Sequence, residues 1–224
     1  MGQTATVTTV IVHGAGSTGA AARALLGALP ATVCVEDRSG EIEHIVDRLH
    51  ETLLAHPDCT EVVGISLGAH AVARWAATRT RALPRIRLVL PAWLGPPGTA
   101  STATLLAAHS IASEGIVATL LRLRSDGAHP DIAALLDRAW IEYADDELAR
   151  CLHAASTGMG PTAEQLAAIR GPVSVLGWMG DAFHPASVAW DWASHLRWPT
   201  IALGARPEIR LLRQALATTR GARA

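Results

Sequence analysis

The sequence lacks an excess of charge of either sign. Its 224 residues include 19 basic and 20 acidic side chains, which give a formal net charge of −1 at pH 7. Lysine is absent, and the arginines are spread along the chain rather than gathered in a stripe. A basic stripe is the usual mark of a nucleic-acid or anionic-membrane partner. We therefore expect neither of these partners, and the sequence indicates no oligomeric state.

Cysteine is also scarce. Cys34, Cys59 and Cys151 are too few and too scattered for a disulfide framework, and none forms a C-x-x-C pair for zinc or redox chemistry. We expect no metal, no cofactor and a reducing, cytoplasmic setting. The first apolar run has no basic segment before it, as a signal peptide would, and ends in a Gly-rich loop. No apolar run approaches the ~20 residues that span a bilayer.

Material for a buried core is abundant. Hydrophobic residues make up 50 % of the chain and charged residues 17 %, which excludes intrinsic disorder as its main character. The length fits a single α/β domain over residues 1–224. Short β-branched runs alternate with Ala/Leu-rich stretches of helical period, which predicts a doubly wound, mostly parallel sheet of about six strands. The predicted strands lie near 6–12, 32–36, 61–65, 86–91, 172–177 and 199–203. The predicted helices between them lie near 18–29, 41–56, 67–79, 185–196 and 206–218.

One stretch interrupts this alternation. After Pro91 no strand pattern follows until Gly171, which is too long for a crossover. We predict an inserted helical lid over roughly 99–168, lying over the carboxyl edge of the sheet, where doubly wound folds bind ligands. Its predicted helices lie near 101–124, 130–140, 145–156 and 161–169.

A Gly-rich loop, HGAGSTG, follows the first predicted strand and opens a helix. Two interpretations compete. The loop matches G-x-G-x-x-G, and Glu36 or Asp37 stands where a ribose-binding acid of a dinucleotide site would stand. The same loop suits an oxyanion loop, in which an HG-x-G turn aims a backbone N–H at a developing oxyanion.

A second motif, EVVGISLGAH, is a predicted strand followed by G-x-S-x-G and a helix. This is the pattern of a nucleophile elbow, which needs small residues two positions either side of the serine because the chain reverses sharply. Gly64 and Gly68 meet that need around Ser66. The turn also places Ser66 at a helix N-terminus, whose partial positive charge favours an alkoxide. The alternative without a catalytic role is an ordinary tight turn between a strand and a helix.

With the elbow and the upstream loop in register, the sequence resembles the α/β-hydrolase superfamily, particularly its small bacterial members. The resemblance runs from Val7 to about Leu216 and weakens in the predicted lid. It implies a parallel sheet, a lid, and a Ser/acid/His triad in that chain order. It assigns Ser66 as nucleophile and Asp181 as acid, because LGWMGDAFHP at 176–185 resembles the family's loop G-x-x-D-x-x-H-P. Asp181 alternatively suits a cap for the helix that follows.

The resemblance also implies an oxyanion hole. The backbone N–H of Leu67 would supply one donor, and a second would come from the loop that holds Gly14, Ala15 and Gly16.

The sequence departs from the family pattern where the histidine belongs. The last predicted strand is followed by Gly-Ala-Arg-Pro, so Arg206 stands near the place of the missing residue. A guanidinium cannot accept a proton, although it suits a substrate carboxylate or phosphate. His184, His195 and His70 are the alternative sources of a base. The other histidines weighed for this role are three lid residues and one in the oxyanion loop: His109, His129, His153 and His13. The departure favours a site in which no imidazole contacts the serine.

Tryptophan is over-represented among the aromatics, with seven Trp against one Tyr and one Phe. Trp93 and Trp178 follow predicted strands, and Trp140 lies in the predicted lid, so we expect all three to line one pocket. Such a pocket favours a bulky apolar ligand.

The leading functional hypothesis is an enzyme that acts on an acyl or carbonyl group, an ester, thioester or amide, of a bulky apolar small molecule or peptide, in bacterial secondary metabolism. The missing histidine keeps a second hypothesis open, a non-hydrolytic epimerase, cyclase or lyase with the same fold, since oxyanion donors alone still stabilise an enolate. Further alternatives are a non-catalytic ligand-binding protein and an NAD(P)-binding protein.

Overall fold

The computed structural model describes residues 8–29 and 31–221, and within them the chain builds a six-stranded parallel sheet. The strand order is β2-β1-β3-β4-β5-β6. The strands are β1 Thr8–Val12, β2 Thr32–Val35, β3 Cys59–Ile65, β4 Arg85–Val89, β5 Val173–Trp178 and β6 Pro199–Gly204. All five strand pairings are parallel. The predicted doubly wound sheet is confirmed, although positions 6 and 7 of the first predicted strand lie outside the described residues.

Helices cover both faces of the sheet, which explains the nearly continuous apolar strands. They are α1 Gly19–Leu26, α2 Ile42–Ala55, α3 Leu67–Ala77, α8 Ala186–His195 and α9 Ile209–Gly221. One core cluster joins the sheet to α2, α3 and α8 and includes the fully buried Leu49, Val72 and Trp192. A second cluster on the other face joins it to α1 and α9 through Leu25 and Leu212.

Four further helices lie between β4 and β5. They are α4 Thr99–Ser125, α5 Pro130–Trp140, α6 Asp145–Thr157 and α7 Ala163–Ala168. α4, α5 and α6 share a core that includes Ile111, Trp140 and Leu148 and reaches across to Ala21 of α1. Leu166 of α7 belongs instead to the cluster with α2, α3 and α8. The first three inserted helices therefore pack against the element that follows the Gly-rich loop.

The longest inserted helix is broken inside. Gly115 has a φ of 83° and a ψ of 168°, which separates α4 into segments 99–114 and 116–125. Asp145 Oδ1 accepts the Ile116 N–H at 3.1 Å and so caps the second segment. Among the described residues α4 alone has the length and apolar composition of a membrane-crossing helix. Each of its two segments is shorter than the ~20 residues that a bilayer requires.

Candidate active site

Ser66 lies on a sharp turn between β3 and α3. Its φ of 53° and ψ of −119° are a strained backbone conformation for a residue with a side chain. The turn leaves no room beside it, because a Cβ on Gly64 would lie 2.5 Å from the Gly68 carbonyl oxygen. A Cβ on Gly68 would lie 2.2 Å from the Val12 carbonyl oxygen. The two glycines thus allow the tight reversal that the G-x-S-x-G pattern predicts.

A histidine contacts this serine. His184 Nε2 lies 3.0 Å from Ser66 Oγ, and His184 Nδ1 lies 2.8 Å from Asp181 Oδ2. An ionised carboxylate only accepts hydrogen bonds, so His184 carries its proton on Nδ1 and turns a lone pair on Nε2 toward the serine hydroxyl. The three side chains form one continuous hydrogen-bonded chain.

The acid and the histidine of this chain lie on a single loop after β5. Asp181 Oδ1 accepts the backbone N–H of Phe183 at 2.8 Å and that of His184 at 3.3 Å. Asp181 therefore closes a turn of its own loop instead of capping α8, which begins after Pro185. Trp178 Nε1 donates to Asp181 Oδ2 at 2.7 Å.

These contacts keep Asp181 ionised. Burial alone would raise the pKa of its carboxyl group. The charge and hydrogen bond of His184, with the hydrogen bonds from Trp178 and the Phe183 N–H, outweigh burial and hold the pKa of Asp181 well below its usual value. Asp181 is thus a permanent acceptor for the imidazole near neutral pH.

The expectation that no imidazole contacts Ser66 is wrong. His184 lies three residues after the acid, and the turn closed by Asp181 brings the ring back over the serine. His195 lies at the end of α8, where its Nε2 is 3.4 Å from Asp191. Neither His195 nor any other histidine besides His184 lines the cavity at Ser66 in the described part of the chain.

His70 is a buried structural residue. Its Nε2 accepts the Ala92 N–H at 3.2 Å, and its ring meets Trp93 edge-on at a centroid distance of 4.4 Å. Burial, followed by the charges of His184 and Arg74, lowers the pKa of His70 to about 3. The ring is neutral and supports the wall of the site from behind.

The remaining histidines have other positions. His13 Nδ1 donates to the Gly14 carbonyl at 2.9 Å and its Nε2 accepts the Asp37 N–H at 3.3 Å, so it braces the Gly-rich loop. His129 caps α5 by accepting the Asp131 N–H at 3.3 Å. His109 and His153 are exposed on inserted helices.

Three backbone N–H groups near Ser66 form no hydrogen bond within residues 8–29 and 31–221. They belong to Gly14, Ala15 and Leu67, and all three residues line the cavity at Ser66. Gly14 lies directly against the serine, since a Cβ there would approach Ser66 Cβ to 3.0 Å. Gly16 was expected to be a further oxyanion donor, but its N–H donates to Cys151 Sγ at 3.4 Å and is not free to bind an oxyanion.

The inserted helices hold this loop in place. Tyr143, between α5 and α6, donates its hydroxyl to the Ser17 carbonyl at 2.7 Å, and Cys151 on α6 accepts from Gly16. Gly16 has a φ of +60°, and a Cβ there would lie 2.9 Å from Leu148 Cδ1. Tyr143 and Cys151 could not be identified from the sequence, since no spacing in the sequence pairs them with the loop.

A cavity of about 180 Å³ opens beside the hydrogen-bonded chain. The three expected tryptophans, Trp93, Trp140 and Trp178, all line it. Most other lining side chains are aliphatic and come from the helices around it, as Leu25, Leu123, Ile132, Leu135, Leu136 and Leu152 do. Arg206 does not line it; its exposed guanidinium pairs with Glu208. The structure thus places Arg206, expected to bind substrate, outside this cavity.

The Gly-rich loop does not form a pyrophosphate cradle. Such a site uses the free N–H groups at the start of the helix. The Gly19 N–H that opens α1 donates to Glu36 Oε2 at 3.2 Å, and the same carboxylate lies 3.5 Å from His13 Nε2. A carboxylate in that place repels a second anion, so the dinucleotide interpretation is wrong. The strand order also differs from the 3-2-1-4-5-6 order of dinucleotide-binding sheets.

Comparison with known proteins supports the fold. No family model matches the sequence, and no curated protein matches it significantly. Among solved structures, a carboxylesterase of the Thaumarchaeon Nitrososphaera gargenis matches with a TM-score of 0.77 and 12 % identity, over 99 % of this chain and 91 % of that one. The enol-lactonase from Burkholderia xenovorans LB400 matches with a TM-score of 0.72 and 15 % identity, over 98 % and 90 %. MenH from S. aureus matches with a TM-score of 0.69 and 16 % identity, over 97 % and 92 %. The chain has the α/β-hydrolase fold.

Proposed function

We propose that this protein is a serine hydrolase that cleaves an ester, thioester or amide of an apolar small molecule. The proposal rests on one observation above all, the continuous chain from Ser66 Oγ to His184 Nε2 at 3.0 Å and from His184 Nδ1 to Asp181 Oδ2 at 2.8 Å. A serine hydroxyl is a weak nucleophile until a base takes its proton. The imidazole lies within the distance that this transfer requires.

In the first half of the reaction, Ser66 Oγ attacks the carbonyl carbon while its proton passes to His184 Nε2. Asp181 stabilises the resulting imidazolium. The N–H groups of Ala15 and Leu67 stabilise the oxyanion of the tetrahedral intermediate. Collapse of the intermediate breaks the bond to the leaving group, which takes the proton from His184 and departs as an alcohol, thiol or amine.

In the second half, a water molecule attacks the acyl-serine ester and gives its proton to His184 Nε2. The second tetrahedral intermediate releases the carboxylic acid, and Ser66 regains its proton from the imidazolium. The inserted helices act as the lid of this site. Their side chains form the far wall of the cavity and reduce the access of bulk water to the acyl-enzyme.

The side chains that line the cavity favour an apolar substrate. Tryptophan and leucine side chains predominate in the cavity, and its ionisable lining residues are Asp181 and His184 among the described positions. Burial of a hydrocarbon group there is favourable at roughly 25 cal/mol per Å². We further propose that the protein acts in the cytoplasm and in secondary metabolism. Identification of the substrate would test the role in secondary metabolism.

The non-hydrolytic alternative depends on a serine without a base. His184 Nε2 lies within hydrogen-bond distance of Ser66 Oγ, so no other residue is needed as the base. A purely ligand-binding role predicts that the pocket binds esters without turnover.

The test is covalent labelling of Ser66 combined with ester hydrolysis. A fluorophosphonate probe should modify wild-type protein at Ser66, and Ser66→Ala should lose both the label and the hydrolysis of p-nitrophenyl esters. Ser194→Ala is a matched control, since Ser194 is an exposed serine of α8 that bonds only to the Asp191 carbonyl. Hydrolysis that persists in Ser66→Ala, or wild-type protein that neither labels nor hydrolyses, contradicts the proposal.

A further inference from the structure

Two polar groups in the wall of the cavity have no protein partner. Trp140 is 4 % exposed, and its Nε1–H donates to no acceptor in residues 8–29 and 31–221. Ser17 also lines the cavity, and its hydroxyl forms no hydrogen bond within the same residues. The other two cavity tryptophans differ, because Trp93 Nε1 donates to the Gly158 carbonyl and Trp178 Nε1 donates to Asp181.

Both groups lie beside the oxyanion loop. The Trp140 indole nitrogen would lie 3.2 Å from a Cβ on Gly16, one residue from Ala15 and its proposed oxyanion donor. Ser17 follows Gly16 directly, and Tyr143 holds its carbonyl at 2.7 Å. The two groups are thus held by fixed structure on the side of the scissile bond where the loop lies.

A buried tryptophan N–H normally finds an acceptor, because leaving it unpaired costs free energy. Trp140 Nε1 is not among the fully enclosed, unpaired atoms of the described residues, so it keeps some accessible surface and water can serve as its acceptor while the cavity is empty. A bound molecule that displaces this water must supply an acceptor of its own, or the N–H loses its hydrogen bond. A purely aliphatic acyl chain would cover the indole N–H without satisfying it.

We propose that Trp140 Nε1 and the Ser17 hydroxyl bind a second oxygen of the substrate, a keto, ether or ester oxygen carried by the acyl group near the scissile carbonyl. This inference rests on the proposed hydrolase function and narrows its substrate class. Trp140 and Ser17 then act as specificity-determining residues, and they distinguish oxygen-bearing acyl groups from plain alkanoyl groups of the same length.

The charge of the cavity restricts the oxygen to a neutral one. No arginine lines the cavity among the described residues, and the ionised carboxylate of Asp181 lies in its wall. A substrate carboxylate would leave water without a cationic partner, which is costly. A neutral oxygen needs only the two donors that Trp140 and Ser17 offer.

The test compares pairs of substrates. Each pair holds a p-nitrophenyl alkanoate and the analogue in which an ether oxygen replaces one methylene, with the oxygen moved along the chain from pair to pair. The readout is the ratio of kcat/KM for the ether over kcat/KM for the alkanoate, measured in wild type and in Trp140→Phe. Dividing the wild-type ratio by the variant ratio cancels the intrinsic reactivity of the two esters.

We expect the ratio to fall by about three- to tenfold in Trp140→Phe for at least one oxygen position, the loss of about one neutral hydrogen bond. Ser17→Ala should lower the ratio for the same oxygen position, and it carries the test if Trp140→Phe fails to fold. Trp93→Phe is the matched control. Its indole N–H is committed to the Gly158 carbonyl, so the ratio should not change.

Binding to Ser66→Ala supplies a readout that needs no turnover, since the same pairs of esters can be titrated against the inactive protein. If hydrolysis is normal and neither variant changes the ratio at any oxygen position, the proposed site for a second substrate oxygen, the second-oxygen site, is overturned. The hydrolase proposal is unaffected by that result. Absence of both hydrolysis and labelling in wild type overturns the hydrolase proposal. In that case, equal affinity of Ser66→Ala for both members of every pair overturns the second-oxygen site as well.

Discussion

At the scale of single residues, the site depends on the carboxyl group of Asp181. One oxygen accepts two backbone N–H groups of its own loop, and the other accepts from His184 Nδ1 and Trp178 Nε1. The same side chain therefore shapes the turn and orients the imidazole that the turn carries. A loop of four residues, 181–184, thus supplies both the acid and the base of the proposed hydrolase.

The first prediction separates His184 from the other candidates. His184→Asn should lower kcat/KM for an aryl ester by about 10²–10⁴-fold, because the serine loses its base. His195→Asn and Arg206→Ala are matched controls, since both side chains lie outside the cavity and pair with nearby carboxylates. Steady-state assays of the three variants check this. Equal losses in all three would contradict the assignment of the base.

The second prediction concerns the buried His70. Its pKa is about 3 in the folded protein and about 6.5 when unfolded. Between these values the unfolded chain binds a proton that the native state does not, so the free energy of unfolding decreases as the pH falls below about 6.5. The slope from this group approaches about 1.4 kcal/mol per pH unit.

His70→Gln should remove that slope, because the glutamine amide oxygen can accept the Ala92 N–H without titrating. Urea unfolding of both proteins from about pH 7.5 to about pH 5 measures the difference. The destabilisation of wild type over this range should exceed that of the variant by about 2 kcal/mol. Parallel pH profiles would show that His70 is not buried as a neutral ring.

Ser66 and Asp181 could be identified from the sequence, while His184 could not be singled out. The elbow is a local pattern, because the glycines needed for its turn lie two residues either side of the serine. The return of His184 to Ser66 depends on the turn within residues 181–184 and on the separation of β3 from β5. An Asp followed three residues later by His is the one local sign, since an Asp side chain often closes such a turn.

At the scale of elements, the sequence predicts every strand and helix of the sheet layer to within a few residues. β-branched runs and turn residues are local, so their pattern carries this information. The break of α4 at Gly115 was not predicted. A glycine within a helical run is ambiguous by itself, and here Asp145 from another helix stabilises the break.

The third prediction concerns the attachment of the inserted helices to the oxyanion loop. Tyr143→Phe removes the hydrogen bond to the Ser17 carbonyl, and we expect kcat to fall about three- to tenfold with KM little changed. The reason is that the loop, and with it the Ala15 N–H proposed to stabilise the oxyanion, is no longer held in one position. Ser156→Ala removes a hydrogen bond from the same inserted segment without touching the loop. An equal loss of kcat in the control would show a general effect of stability instead.

At the scale of the whole molecule, the segment after β6 has a structural role. Arg87 on β4 is fully buried and pairs with Glu61 on β3 at 2.6 Å. Arg87 also donates to the Leu216 carbonyl at 3.0 Å and to Thr219 Oγ1 on α9. The C-terminal helix is thus tied to the sheet through a buried ion pair. Neither partner of this pair could be placed from the sequence, because contact between them depends on strand order.

The fourth prediction separates stability from catalysis. Arg87→Met should lower the free energy of unfolding by about 3–5 kcal/mol, because it leaves the buried carboxylate of Glu61 without this partner. Arg87→Met combined with Glu61→Leu should recover most of that loss, since the double change removes both charges. Urea unfolding of the two variants measures these free energies.

Both variants should keep kcat for the folded fraction. Glu61 and Ser66 are five residues apart on one strand and its turn, about 17 Å at the usual rise per residue, and the ion pair touches neither the loop of Asp181 nor the oxyanion loop. Assays well below the unfolding midpoint, normalised to the fluorophosphonate-labelled fraction, measure kcat directly. A fall of kcat in proportion to lost stability would mean that α9 supports the site through the sheet. Unchanged kcat would show that the ion pair between Arg87 and Glu61, and its attachment to α9, serve stability and not the geometry of the site.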